Sequence, residues 1–450
     1  MSHNPAVLLY DQNGNAQAVQ DDTIIPAQTS GLMLAAHDHN TNKSRFLRTD
    51  HTGNLSIVPS QYSKTAFGEV RTANQFTMAN LINRYFIDSR QYGTSVNSGG
   101  AVTHLPNMSA IQLSVPSTSG AYAKLRTHTY YRYQAGKGLR VTQTGFSADA
   151  GQTNQIKHWG LFDDYDGIIW ELNGTELRLI RRTSTSGSVV DNIIDRATWN
   201  EDKMDGTGPS GITLDVTKGN IYEIQIQWLG VGSVWCYVDG HQVHEIKNAN
   251  LHAAPYMKTA TLPLSWEVSN TAASTASSYT FVCAKVAIEG GEDQPQTTFG
   301  AYNSSDIAVG TTDRPLLSMR PTQLLNAIEN RAVLVPHVAN INTDGARAAF
   351  RIVMDGALTG ATWNPVATDS AAEFDTASTA ISGGDTLFRG FLPNTTDART
   401  VDISGFFSEF GRVMRRFAFG SGANILTITG QNLKAGTTQM SASVAWHEVY

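Results

Sequence analysis

Apolar and polar residues alternate with a period of two through most of this chain, the period at which successive side chains of a strand point to opposite faces. Tyr222, Ile224, Ile226 and Trp228 alternate with Glu223, Gln225 and Gln227, which predicts a strand with one buried and one solvated face. Leu262, Leu264, Trp266 and Val268 repeat the pattern. From Lys157 the order is KHWGLF, DDYDG, IIWEL, NG, LRLIRRT, STSGS. It predicts a β-meander, with Asn173 and Gly174 providing the positive φ angles of a tight hairpin. YAKLRTHTYYRYQAG and LRVTQTGFSADAG add strands before the meander, and SSYTFVCAKVAIEGG adds one after it.

Many short strands at regular spacing, with Gly-marked turns and no helical pattern between them, predict an all-β chain of sandwich or jelly-roll domains. The central sandwich is placed at residues 70–292. The polar stretch EGGEDQPQTTFGAYNSS reads as a linker over 293–311, and a second β-sandwich follows over 312–450, with turns at Asp355-Gly356 and Asn424. PTQLLNAIENR is the best helix candidate, with Leu324, Leu325 and Ile328 at helical spacing, but it is short and could equally be extended. Residues 1–69 carry hairpin signals at Asn13-Gly14 and Gly53-Asn54 but too few apolar positions for a core of their own. They read as a small β-hairpin attachment segment that needs a partner surface.

Length and composition agree with this organisation. A chain of 450 residues holds more than one core. Charged residues are only 16%, which favours strands and turns over salt-bridged helices. The formal charge of −6 is spread along the chain without a Lys/Arg cluster that could track a phosphate backbone, so nucleic acid is not expected as a partner. Cys236 and Cys283 sit in apolar strand-like runs and read as buried thiols, not as a disulfide framework or a zinc site. No window reaches the roughly 18 apolar residues of a membrane span, and the start lacks the pattern of a secretory leader, so synthesis in the cytoplasm and no membrane insertion are expected.

Asp163, Asp164 and Asp166 precede Gly167 between two predicted strands. Aligned on Gly167, a helix-loop-helix calcium loop would need ligands where Phe162 and Asn173 stand, so that reading fails; a looser calcium site on a sandwich loop stays open, and a turn is expected. Pairing one of these acids with Glu171 for glycosidic chemistry has no specific support in the spacing. His37 and His39 would share one side of a strand but leave a zinc site half empty, and AHDHNTN reads more simply as a hairpin loop. GTGPSG at 206–211 precedes a strand and places a Pro where a dinucleotide-binding helix would begin, and YQAGKGLR lacks the Walker spacing. No nucleophile elbow and no zinc helix occur, so no catalytic, cofactor or metal residues are assigned. Trp235 and Tyr237 lie opposite Val234, Cys236 and Val238, where they would form a sugar platform or a subunit interface. Together with the three aspartates they are the candidate contact residues.

The run YYRYQAGKGLRVTQTGFSADAGQTNQIKHWGLFDDYDGIIWELNGTELRLIRR, followed by the WN-DK-DG segment, the LDVTKGN turn and the QWLGVG hairpin, resembles a module of virion structural proteins of tailed bacteriophages over about Tyr130 to Asn270. GLMLAAHDHNTNKSRFLRTDHTGNLSI is similar to attachment segments of phage tail or fibre proteins, and SVAWHEVY to their closing strands. The resemblance implies a non-enzymatic component of the tail, collar, baseplate, fibre or head. Its partners would be copies of itself, as a trimer or hexamer, and other virion proteins. A second reading stays open: a receptor-binding or glycan-degrading spike acting on host-surface polysaccharide.

Overall fold

The computed structural model describes residues 75–291 and 297–450 apart from 395, 397 and 408–412, together with four short strands nearer the N-terminus. The chain divides into two compact units, Met1–Val58 and Pro59–Tyr450. In the first unit Leu9–Tyr10 pairs with Ala16–Gln17, and Ala35–Asp38 with Lys43–Phe46. The second hairpin sets His37 opposite Ser44. His39, the His37 side chain and Gly53-Asn54 lie outside the described residues.

The second unit begins with fifteen strands of a sandwich. In chain order they are β1 (Gln75–Ile82), β2 (Tyr92–Asn97), β3 (Ala101–Leu105), β4 (Ala110–Val115), β5 (Tyr122–Thr127), β6 (Gly138–Ser147), β7 (Gln155–Phe162) and β8 (Gly167–Asn173). They continue as β9 (Glu176–Thr183), β10 (Val190–Asp195), β11 (Asn220–Ile226), β12 (Val234–Val238), β13 (His241–Ile246), β14 (Leu264–Asn270) and β15 (Ser277–Glu289). One antiparallel sheet runs β13-β12-β11-β6-β15-β4-β3 with β1 also on β15; the other runs β10-β9-β8-β7-β14-β5-β2. The predicted meander is β7-β8-β9, in which Gly174 carries φ +56° while Asn173 closes β8 opposite Glu176.

An aromatic row holds the sheets together. Cross-strand register aligns Trp170, Trp159, Trp266 and Leu125 on the inner face of β8, β7, β14 and β5. Trp159 stacks on Tyr279 of the opposite sheet at 4.9 Å, and Trp266 on Phe281 at 3.8 Å. Offset stacks and edge contacts of this kind add about 0.5–1.5 kcal/mol per pair beyond buried area.

A second core, containing Phe350, Ile341 and Trp446, belongs to the C-terminal sandwich. In one of its sheets Thr438–Val449 pairs with Val333–Thr343, which pairs with Arg399–Asp402. The other sheet orders Ala372–Asp375, Arg314–Pro321, Leu426–Asn432, Ala348–Met354 and Asp385–Leu392.

Three expectations change. Thr297–Tyr302 and Ile307–Val309 fall in the span read as a linker, yet both pair with Thr438–Val449. PTQLLNAIENR is not helical: Leu324–Leu325 pairs with Ile328–Glu329, and Asn326 and Ala327 turn the chain at φ +49° and +63°. The third concerns β11, whose Glu223 and Gln225 are buried instead of solvated. Glu223 accepts hydrogen bonds from Arg140, Thr142 and Gln225, so its polarity is met by neighbours.

Candidate functional site

The three aspartates diverge. Asp163 Oδ1 accepts the backbone N–H groups of Tyr165 and Asp166 at 2.8 and 2.9 Å, closing an Asx turn. Burial pushes its carboxyl up despite these bonds. Asp164 points the other way and binds Arg126 with both oxygens, at 2.9 and 3.1 Å. Asp166 accepts from Ser184 Oγ at 2.7 Å and from the Lys258 N–H at 2.8 Å, tying the turn to β9 and to the loop before β14. Gly167 is required at the turn's end, because a Cβ there would lie 2.1 Å from Phe162 Cβ. The cluster is a turn whose acids serve three separate neighbours.

One of those neighbours leads to the outer face of the seven-stranded sheet. Register places Asp195, Arg178, Glu171, His158, Glu267, Lys124 and Ser95 in one row across β10, β9, β8, β7, β14, β5 and β2. His158 Nε2 lies 2.7 Å from Glu171 Oε2, and Glu171 Oε1 accepts from Arg178 Nε at 2.8 Å. Lys124 Nζ is 3.3 Å from Glu267. The adjacent row carries Arg126, whose Nε donates to Ser265 Oγ at 3.0 Å and whose Nη2 reaches Glu267 at 3.4 Å. Arg182 completes the face by binding Asp191 with two hydrogen bonds, at 2.8 and 2.9 Å.

Electrostatics fix the charge states of the pairs. Burial alone would raise the Glu171 carboxyl, but the His158 hydrogen bond and the Arg178 charge outweigh it and hold it below its ordinary value. Asp164 behaves likewise through Arg126. The Arg126 guanidinium is pulled down by burial, yet Asp164 raises it on balance. Because ionised Glu171 only accepts hydrogen bonds, His158 Nε2 carries the donated proton, and in the neutral ring Nδ1 keeps its lone pair. This gives an oriented imidazole with an ionised carboxylate behind it and Glu267 on the strand at its other side, the elements of acid–base chemistry.

Of these groups only Glu171 and Asp164 are named by sequence reasoning. His158, Glu267, Lys124, Arg126 and Arg178 were missed, though each stands between inward-facing residues of its strand, as His158 does between Lys157 and Trp159. Trp235 and Tyr237 do lie on the face opposite Val234, Cys236 and Val238, but they are only 7% and 1% exposed. Neither ring presents an open platform. GTGPSG wraps the Asp202 carboxylate, which accepts the Met204 and Ser210 N–H groups at 2.7 Å each. YQAGKG is the turn into β6, closed by Lys137 N–H on Gln134 O at 3.1 Å.

No family model matches the chain, and no curated protein matches it in sequence. Solved structures similar to it include an endo-β-1,4-glucuronan lyase from the fungus Trichoderma reesei, at 11% identity and a TM-score of 0.31, covering 47% of this chain and 95% of that one. A carbohydrate esterase of the Shiga toxin-encoding bacteriophage phi24B is similar at 11% identity and a TM-score of 0.29, covering 48% and 100%. An alginate lyase is similar at 11% identity and a TM-score of 0.27, covering 41% and 77%. The expectation of a non-enzymatic chain finds no support here: two of these neighbours are glycan lyases and one is an esterase, at a likeness that assigns this chain no activity. The likeness itself is one of fold and assigns no residue a role.

Proposed function

We propose that this chain is a phage-particle protein whose outer sheet face engages a host-surface polysaccharide and cleaves its glycosidic bonds. The observation that carries the reading is the row Glu171–His158–Glu267, with the imidazole held by one carboxylate at 2.7 Å and the second acid on the neighbouring strand. The backbones of Glu171 and Glu267 are two strand spacings apart, roughly 10 Å. His158 stands between them, so a sugar unit lies over the imidazole, with one acid to either side. His158 Nδ1 takes a proton from a water that adds to the anomeric carbon and returns it to the glycosidic oxygen as that bond breaks; Glu171 orients the ring, and Glu267, Lys124 and Arg178 bind sugar hydroxyls. The phage setting rests on the resemblance of residues 130–270.

The charges of the face nearly cancel: Lys124, Arg126, Arg178 and Arg182 stand against Glu171, Glu267, Asp164, Asp191 and Asp195. A face with so small a net charge, slightly negative, recognises hydroxyls and local polarity rather than bulk polyanion, so a neutral or sparsely charged polysaccharide is the expected substrate.

The test is to incubate the full chain with capsular polysaccharide and lipopolysaccharide preparations, reading retention of the polymer and release of new reducing ends. Wild type shortens at least one polymer. His158→Ala slows release by about 10²- to 10⁴-fold, the usual contribution of a positioned proton-transfer group, while retention persists. Absence of both retention and shortening, or full activity in His158→Ala, would sink the reading.

A further inference from the structure

A cavity of about 210 Å³ lies where the two sandwiches of the second unit meet. The loop between β1 and β2 lines it with Asp88, Arg90 and Gln91; the C-terminal sandwich lines it with Asp355, Asp385 and Arg415, beside the apolar Met354 and Val413. Its polar walls are held in place. Arg90 grips Asp88 at 2.8 and 3.2 Å, and Asp355 accepts Asn424 Nδ2 at 3.0 Å and the Ile425 N–H at 3.0 Å. Arg415 donates to Thr129 Oγ1 and to the Arg90 carbonyl, so it bridges the two sandwiches behind the cavity.

We infer that this cleft is a second ligand site, taking a single neutral sugar ring. Each pinned carboxylate oxygen keeps acceptor capacity for hydroxyl donors, and the guanidiniums offer donors to hydroxyl lone pairs. Asp88, Asp355 and Asp385 against Arg90 and Arg415 leave a lining close to neutral, which disfavours an ionic ligand. Met354 and Val413 supply an apolar patch for the C–H face of a ring. The volume is below the roughly 300 Å³ where pockets for larger organic ligands begin, so one ring fits and an oligosaccharide does not. The site is separate from the His158 face and does not depend on that face's chemistry.

Saturation-transfer NMR on the intact chain with D-glucose, D-galactose and N-acetyl-D-glucosamine tests the inference. At least one sugar should receive saturation. Asp385→Ala, which removes an acceptor, and Gln91→Trp, which fills the mouth, should each weaken it by about tenfold or more, the loss expected for one charge-assisted hydrogen bond. Thermal melting of both variants verifies that they fold. His158→Ala should bind the same sugar unchanged, and Gln91→Trp should still cleave polysaccharide, so either function can fail without the other. No saturation of any sugar, binding unaltered in Gln91→Trp, or a calcium-dependent response in place of a sugar response would overturn it.

Discussion

Asp163, Asp164 and Asp166 lie within four consecutive positions and do three different things, because a turn aims neighbouring side chains in different directions. Asp163 is part of the backbone's own hydrogen bonding, and its removal leaves two N–H groups without an acceptor. Asp163→Ala should therefore lower stability by about 1–3 kcal/mol, the cost of stranded buried donors. Asp163→Asn keeps an acceptor oxygen and should stay within about 0.5 kcal/mol of wild type. Thermal denaturation compares them, and the same melts should not shift with added calcium or chelator, since each carboxylate is already engaged by a different protein group. A chelator-sensitive transition would refute that account. The turn was legible from Asp and Gly alone. That Asp164 reaches Arg126 on β5 was not, since only the folded sheet brings those residues together.

At the level of elements, legibility followed locality. The meander of β7, β8 and β9 could be read directly, because alternation and Gly-marked turns are short-range signals. The row that makes the candidate site needs the β7–β14 and β14–β5 pairings, which join distant segments and leave no local trace. Polarity also misled: the polar face of β11 is buried under its own hydrogen bonds, so a period of two reports which side a residue takes and not whether water reaches it. The helix candidate failed for a similar reason. Leu324, Leu325 and Ile328 have helical spacing, but Asn326 and Ala327 take positive φ and fold the segment into a two-residue hairpin. A left-handed conformation costs an L-residue about 1–2 kcal/mol, of which glycine would lose part again to unfolded-chain entropy of about 0.5–1 kcal/mol. Ala327→Gly should thus stabilise the chain by about 0.5–1 kcal/mol, seen as a raised denaturant midpoint. A lowered midpoint would mean that the turn is not held in this conformation.

Across the molecule, the sandwiches join through a histidine. His128 Nδ1 accepts the Ala418 N–H at 2.8 Å, which leaves Nε2–H to donate to the Ser89 carbonyl at 3.1 Å. Its ring lies 5.0 Å from that of Phe417, and a Cβ on Gly93 beside it would come within 3.1–3.2 Å of His128, Phe419 and Ala418. Arg331 reinforces the contact by packing over Tyr130 at 4.2 Å and donating to the Phe417 carbonyl. Burial, with the Arg415 charge adding to it, pulls the His128 imidazole from 6.5 down to about 4. The consequence for stability follows from linkage. Below pH 6.5 the exposed imidazole takes up a proton while the buried one does not, so the contribution is complete above that value and is lost as pH falls toward about 4. The total loss is at most about 3.5 kcal/mol at about 1.4 kcal/mol per unit. Protonation would also set an N–H against the Ala418 N–H, so the weakening should begin at the junction. Hydrogen exchange at the Ala418 amide should therefore accelerate between pH 6.5 and 4, after correction for intrinsic rates, ahead of amides beside Trp266 in the central core. His128→Gln supplies an acceptor without an ionisable ring and should flatten that acceleration. An equal pH response in the variant would place the acid sensitivity elsewhere.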